Sequence, residues 1–109
     1  MVEDKGGIKG EYMKVYIAGK ITGEPNYKQK FEAAAQRVQE GGDIPLNPAW
    51  QPAGMSNADY MRICFAMIDS ADIVWFLDDY TDSQGAQLEH AYCQYISKQT
   101  AYGNNFVWC

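Results

Sequence analysis

Two short stretches of this chain hold residues whose type and spacing could do chemistry. One is Ser83-Gln84-Gly85-Ala86-Gln87-Leu88-Glu89. A helix beginning near Ser83 would present free backbone N–H groups and its positive dipole end to an anion. Glu89 follows Gly85 by four residues and so shares its helix face, together with Ala86, Tyr92 and Cys93, which are small or apolar. A carboxylate in such surroundings loses water, which raises its pKa and suits it to act as a nucleophile or base. On these residues alone, a glutamate that interacts only with the helix dipole is the alternative.

The other stretch is Gly19-Lys20-Ile21-Thr22-Gly23, directly after the apolar run Val15 to Ala18. It is not a phosphate-binding P-loop, because Lys14 stands where that motif needs its first glycine and Val15 to Ala18 hold none either. Nor is it a dinucleotide fingerprint, since Ile21 replaces the middle glycine. Two glycines still let backbone approach a ligand, and Lys20 and Thr22 could meet a phosphate. A plain strand-to-helix turn is the alternative. Asp78, Asp79 and Asp82 read as a solvated loop, because no further spaced ligands accompany them for Mg²⁺. His90 has no Ser or Cys arranged beside it as a nucleophile and reads as a surface or packing residue. Tyr16 falls near the mouth of any site built on these loops.

Those stretches need elements to hold them. Val15 to Ala18 is a β-branched and aromatic strand stopped by Gly19, and Asp43 to Leu46 is a short strand with Pro45 marking an end or edge. Ile73 to Leu77 is continuously apolar, as a strand buried on both faces should be. Phe106 to Trp108 is a weaker fourth candidate. Helical spacing joins Phe31, Ala34, Ala35 and Val38 before the stop Gly41-Gly42. The same spacing joins Tyr60, Ile63, Cys64, Met67, Ile68 and Ala71 behind an N-cap at Ser56 or Asn57. A third helix over 84–98 would turn Leu88, Tyr92, Tyr95 and Ile96 inward. The alternation predicts a flavodoxin-like, Rossmannoid α/β fold: three layers, with a small, mostly parallel sheet of four or five strands flanked by helices. Ligands of such sheets sit beyond the carboxyl ends of the strands, where strand order reverses.

The chain of 109 residues, 47% hydrophobic and 21% charged, has the composition of one globular domain. Residues 1–12 carry three glycines and five charges and read as a flexible extension; residues 13–109 read as the single domain. A net charge of -5 argues against sequence-independent nucleic-acid binding, which needs basic groups to neutralise phosphates. No apolar run approaches the ~20 residues of a membrane span, so no membrane partner is expected. The polar start MVEDKGGIKGEY lacks the apolar core of a secretory signal. Three cysteines and one histidine without paired spacing predict no disulfide framework, no metal and no cofactor, in a reducing cytoplasm.

Taken together, Val15 to Gly23, Asn47-Pro48, Asp59-Tyr60-Met61-Arg62, Ala71 to Val74 and Asp82 to Ala91 resemble the nucleoside 2-deoxyribosyltransferase-like superfamily. The nearest branch looks like a small group of bacterial and phage proteins beside those enzymes. The resemblance covers about residues 13–100, and S-x-G-A-x-x-E-x-A is its most specific part. It implies that Glu89 attacks C1′ of a 2′-deoxyribose and forms a covalent sugar ester while the base departs. Water or a second base then takes the sugar. It further implies that Ser83 helps to hold a 5′-phosphate, and that Gly19, Lys20, Ile21, Thr22 and Gly23 line the pocket with Tyr16 beside the glutamate; Gly85, at the helix start, and Asp79 are further expected substrate-binding residues. The expected ligand is a deoxynucleotide or nucleoside, with a monophosphate preferred. Relatives of this kind assemble so that neighbours complete each other's pockets, which implies a homodimer or higher homo-oligomer.

One position departs from that pattern. The hydrolases carry an aspartate eight residues before the Asp of their Ala-Asp strand start, and here that residue is Cys64. The departure leaves a nucleotide-binding module without turnover as the alternative function. A glycosidase of nicotinamide dinucleotides and a partner-binding domain are more distant alternatives.

Overall fold

The computed structural model describes residues 12–103. All but Tyr12 of the expected 1–12 extension, and the strand candidate Phe106–Trp108, lie outside the described residues. Within them run β1 (Lys14–Ala18), α1 (Tyr27–Glu40), β2 (Ile44–Leu46), α2 (Asn57–Ser70), β3 (Ile73–Phe76), α3 (Gln84–Tyr95) and β4 (Thr100–Tyr102). Single 3-10 turns follow β2 (Pro48–Trp50) and β3 (Asp78–Asp82).

The four strands form one parallel sheet in the order β2-β1-β3-β4. β1 pairs with β2 through Tyr16 opposite Leu46, and with β3 through Tyr16 opposite Val74. Side chains alternate across each strand. Val15, Ile17, Ile73 and Trp75 pack against Phe31, Ala34, Ala35 and Val38 of α1. Tyr16, Ala18, Val74 and Phe76 pack on the other face with Cys64 and Ile68 of α2 and Cys93 of α3. This is the expected three-layer α/β arrangement. The chain leaves β1 toward the α1 layer and β3 toward the α3 layer, so a crevice opens between the two central strands at their carboxyl ends.

Local chemistry sets the boundaries. Ser56 caps α2 by accepting from the Asp59 N–H at 3.1 Å, and Ser83 caps α3 by accepting from the Ala86 N–H at 3.1 Å. The turn that stops α1 uses Gly42, whose φ of +89° closes a 6→1 bond from the Asp43 N–H to the Val38 carbonyl at 3.0 Å. α3 ends the same way, but the left-handed position is Ser97 (φ 59°), and the Lys98 N–H bonds back to the Cys93 carbonyl at 2.8 Å. The helix therefore stops at Tyr95, short of the expected Lys98, and the chain turns into β4, which sequence patterning misses.

The inward face of α3 also differs from expectation. Leu88 is 56% exposed and Tyr95 90%, whereas Ala86, Glu89 and Cys93 are buried. Close packing on the sheet favours the small Ala86 and Cys93, and a hydrogen-bonding partner across the interface lets a carboxyl replace a leucine there. On α2, Ile63 likewise turns outward and is 40% exposed.

Candidate functional site

Among the described residues Glu89 is the buried carboxylate, 5% exposed in the second turn of α3. β1 brings Tyr16 under it, and the Tyr16 hydroxyl donates to Glu89 Oε2 at 2.8 Å. Cys64, from the middle of α2, adds its thiol to the same cluster, close enough to both residues to influence their charge. Gln51, in the segment after β2, donates from Nε2 to Cys64 Sγ at 3.4 Å and to the Pro48 carbonyl at 3.2 Å. Strand, two helices and a loop thus converge on one carboxyl.

Burial pushes the Glu89 carboxyl up to about 7, against the pull of the two donors, Tyr16 and Cys64, which favour its charged form. Burial and the adjacent Glu89 charge carry the Tyr16 phenol well above its usual value, so it remains a donor. Burial raises the Cys64 thiol too. Cys93, one turn beyond Glu89, is pushed up to about 11 by burial and then by the Glu89 charge. Neither thiol has the thiolate character of a reactive cysteine. A carboxyl poised near neutrality is half ionised at pH 7, and as a carboxylate it can attack an electron-poor carbon or take a proton.

The expected phosphate-holding residues stand at the head of α3. The Ser83 hydroxyl is engaged as the N-cap, and Gly85 lies one turn before Glu89. A methyl group at Gly85 would meet Met61 Sδ at 3.7 Å, ordinary contact, so Gly85 is not required by packing within the chain. Across the crevice the Gly19–Gly23 turn approaches closely. A methyl group at Gly19 would lie 3.1 Å from both Asp79 Oδ1 and Leu77 Cδ1, so only glycine fits comfortably. Gly23 adopts φ +81°, closing the turn that the Glu24 N–H makes with the Ile21 carbonyl at 3.1 Å. The Ile21 side chain packs against the α1-side core and leaves only its backbone to a site; Thr22 and Gly23 are exposed.

Asp79 does not stand free in the crevice. Its Oδ1 accepts from the Lys20 N–H at 3.0 Å, and its Oδ2 pairs with Lys30. His90 packs among Phe76, Tyr80 and Tyr102, with Nε2 2.9 Å from the Tyr102 hydroxyl, the packing one of its two expected roles. Among the described residues no group of three or more His, Cys, Asp or Glu side chains could hold a metal ion, and no helix is long and apolar enough to cross a membrane. A cavity of about 510 Å³ lies between α1 and the turn after β2, lined by Glu32, Asn47 and Trp50 among others; Glu89 is not part of its wall.

Sequence reasoning paired Glu89 with Tyr16 and located the head of α3, but it missed Gln51 and treated Cys64 as a packing residue. The Asn47-Pro48 pair was the available signal: Asn47 Oδ1 caps the turn at the Ala49 N–H (2.8 Å), and that turn carries Gln51 to α2.

Comparison with known proteins adds one match. The family model described as Domain of unknown function (DUF4406) covers residues 13–102, and the chain belongs to that family. No curated protein matches the chain.

Proposed function

We propose that this member of the family cleaves or transfers at the N-glycosidic bond of a 2′-deoxynucleoside 5′-monophosphate, with Glu89 as the nucleophile. The observation that carries the reading is a buried carboxyl raised to about 7 and oriented by the Tyr16 hydroxyl at 2.8 Å, at the point where the strand order reverses. The resemblance of Ser83 to Ala91 to the deoxyribosyltransferase-like enzymes supplies the substrate class.

The chemistry follows from charge. As the C1′–N bond breaks, the base leaves with the bonding electrons and the sugar becomes oxocarbenium-like. A carboxylate against C1′ stabilises that positive charge and then bonds to it, as in retaining glycosidases. Water or a second base displaces the ester and returns the carboxylate. Tyr16 holds the carboxyl in a single rotamer through the cycle. The capped head of α3 offers N–H groups and a dipole to the 5′-phosphate.

The test is chromatographic detection of free base after incubation with each of the four 2′-deoxynucleoside 5′-monophosphates, beside Glu89→Ala. Base released by wild type and absent with the variant supports the reading; no release with any of the four rejects it.

A second reading, nucleotide binding without turnover, is favoured by Cys64, whose thiol meets Glu89 where the related hydrolases have a second carboxylate. It predicts a nucleotide-dependent rise in melting temperature without base release. It also predicts that Cys64→Asp converts the protein into a slow hydrolase. A Cys64→Asp variant as silent as wild type would remove the reason for preferring this second reading.

A further inference from the structure

The turn after β1 is gripped by an ion pair drawn from two other elements. Asp79, in the turn after β3, accepts from the Lys20 N–H at 3.0 Å and pairs with the Lys30 ammonium of α1. The same ammonium donates to the Lys20 carbonyl at 2.9 Å. The two peptide groups flanking Lys20 are therefore fixed, one by a carboxylate and the other by an ammonium. Gly19 permits the approach, since any larger residue would press on Asp79 and Leu77. The Lys30 and Asp79 side chains are 28% and 27% exposed, whereas a second ion pair among the described residues, Arg62–Asp59, stands at 75% and 49% and joins only neighbours on α2. Lys30–Asp79 is thus partly shielded and bridges three elements across the crevice.

Both Asp79 oxygens are engaged by the protein, which argues against the direct ligand contact expected from the sequence. We propose that Lys30 and Asp79 are positioning residues: a latch joining α1 to the turns after β1 and β3. It sets the shape of the Gly19–Gly23 turn and cancels an acidic charge, four residues before Ser83, that would repel a phosphate at the head of α3. The kinetic consequence rests on the glycosidase reading; the ordering of the turn does not.

The two partners are not equivalent, and this makes the latch testable. Lys30→Met leaves a carboxylate unpaired beside the turn and frees the Lys20 carbonyl. Asp79→Asn keeps an acceptor for the Lys20 N–H and leaves the ammonium in place. With deoxyadenosine 5′-monophosphate as substrate, or whichever of the four monophosphates wild type cleaves, Lys30→Met raises KM about tenfold with kcat nearly unchanged, an effect of misplaced binding groups. Asp79→Asn raises it less. Adding Asp79→Asn to Lys30→Met recovers part of the loss, because neutrality is restored. Lys30→Arg restores most of it.

The second arm needs no activity. Amide hydrogen exchange of Lys20, read by NMR on the full chain, accelerates roughly tenfold in Lys30→Met and Asp79→Ala while the β3 and α3 amides hold their rates. Unchanged Lys20 exchange in both variants overturns the latch. A Lys30→Met loss equal for monophosphates and free deoxynucleosides overturns its electrostatic role. If wild type releases no base at all, the glycosidase reading fails and the exchange arm alone decides the latch.

Discussion

On the α1 face of the sheet, Val15, Ile17, Ile73 and Trp75 meet Phe31, Ala34, Ala35 and Val38, an entirely apolar contact. On the opposite face, Tyr16, Val74 and Phe76 meet Cys64, Ile68 and Cys93, and the Glu89 carboxyl is buried beside them. The same strands build both faces, with Val15 and Tyr16 one residue apart. The α1 face shows what this fold needs in order to hold together: branched and aromatic residues against small helical ones. The α3 face departs from that rule at one cluster, where a carboxyl, a phenol and a thiol have given up solvent and lie against one another, with Gln51 on the thiol. Burying a carboxyl is unfavourable unless it is hydrogen-bonded, so a cluster of this kind marks a site of function more readily than one of stability.

Substitutions on the two faces should separate activity from stability. Glu89→Gln is the largest expected effect, at least about a 10³-fold loss of base release, because nothing else in the cluster can form the sugar ester. Its fold should survive, which circular dichroism will check. Phe31→Ala, on the apolar face, should cost about 3–5 kcal/mol in denaturant unfolding through the cavity it leaves, while release per folded molecule stays at the wild-type level. Loss of activity without loss of stability in Phe31→Ala would break the division between the faces.

The pH dependence of stability follows the same division. The folded Glu89 carboxyl sits at about 7 against a usual 4.5, so between those values the unfolded chain releases a proton that the folded chain keeps. That proton stabilises the folded state fully below the lower value, and its effect is lost as pH rises through the upper one. Stability should therefore fall by roughly 3 kcal/mol from pH 4.5 to above pH 7 from this group, and Glu89→Gln should remove that slope in urea titrations. The smallest effect is expected from Tyr16→Phe. Removing a donor that favours ionised Glu89 should move the midpoint of the pH–rate curve upward and cost about 1 kcal/mol of stability. An unmoved midpoint would mean that the 2.8 Å contact leaves the carboxyl unaffected.

The apolar face was legible because α1 spaces Phe31, Ala34, Ala35 and Val38 in the plain helical period and nothing competes with them. The head of α3 was legible because Ser83 can cap a helix and Gly85 and Glu89 follow at helical spacing. Hydropathy misled beyond that point: it turned Leu88 and Tyr95 inward, whereas the sheet receives Ala86, Glu89 and Cys93. The burial of Glu89 was legible from Ala86 and Cys93 on its own face, whereas the 2.8 Å bond from Tyr16, 73 positions earlier, rests on tertiary approach. The end of α3 was hidden because Ser97 takes the left-handed position that glycine usually signals, and with it went β4. Gln51 and the Lys30–Asp79 latch depend on tertiary approach alone, since no local pattern links Asp79 to a backbone amide 59 residues away.

The most direct test of the account is base release from the preferred deoxynucleoside 5′-monophosphate by wild type and Glu89→Gln, measured in parallel from pH 5 to 9. The wild-type rate should rise through a midpoint at about 7 as Glu89 ionises and then level off, with the variant flat at background. A variant that follows the wild-type curve, or a wild-type protein that releases nothing at any pH, would contradict a nucleophilic Glu89.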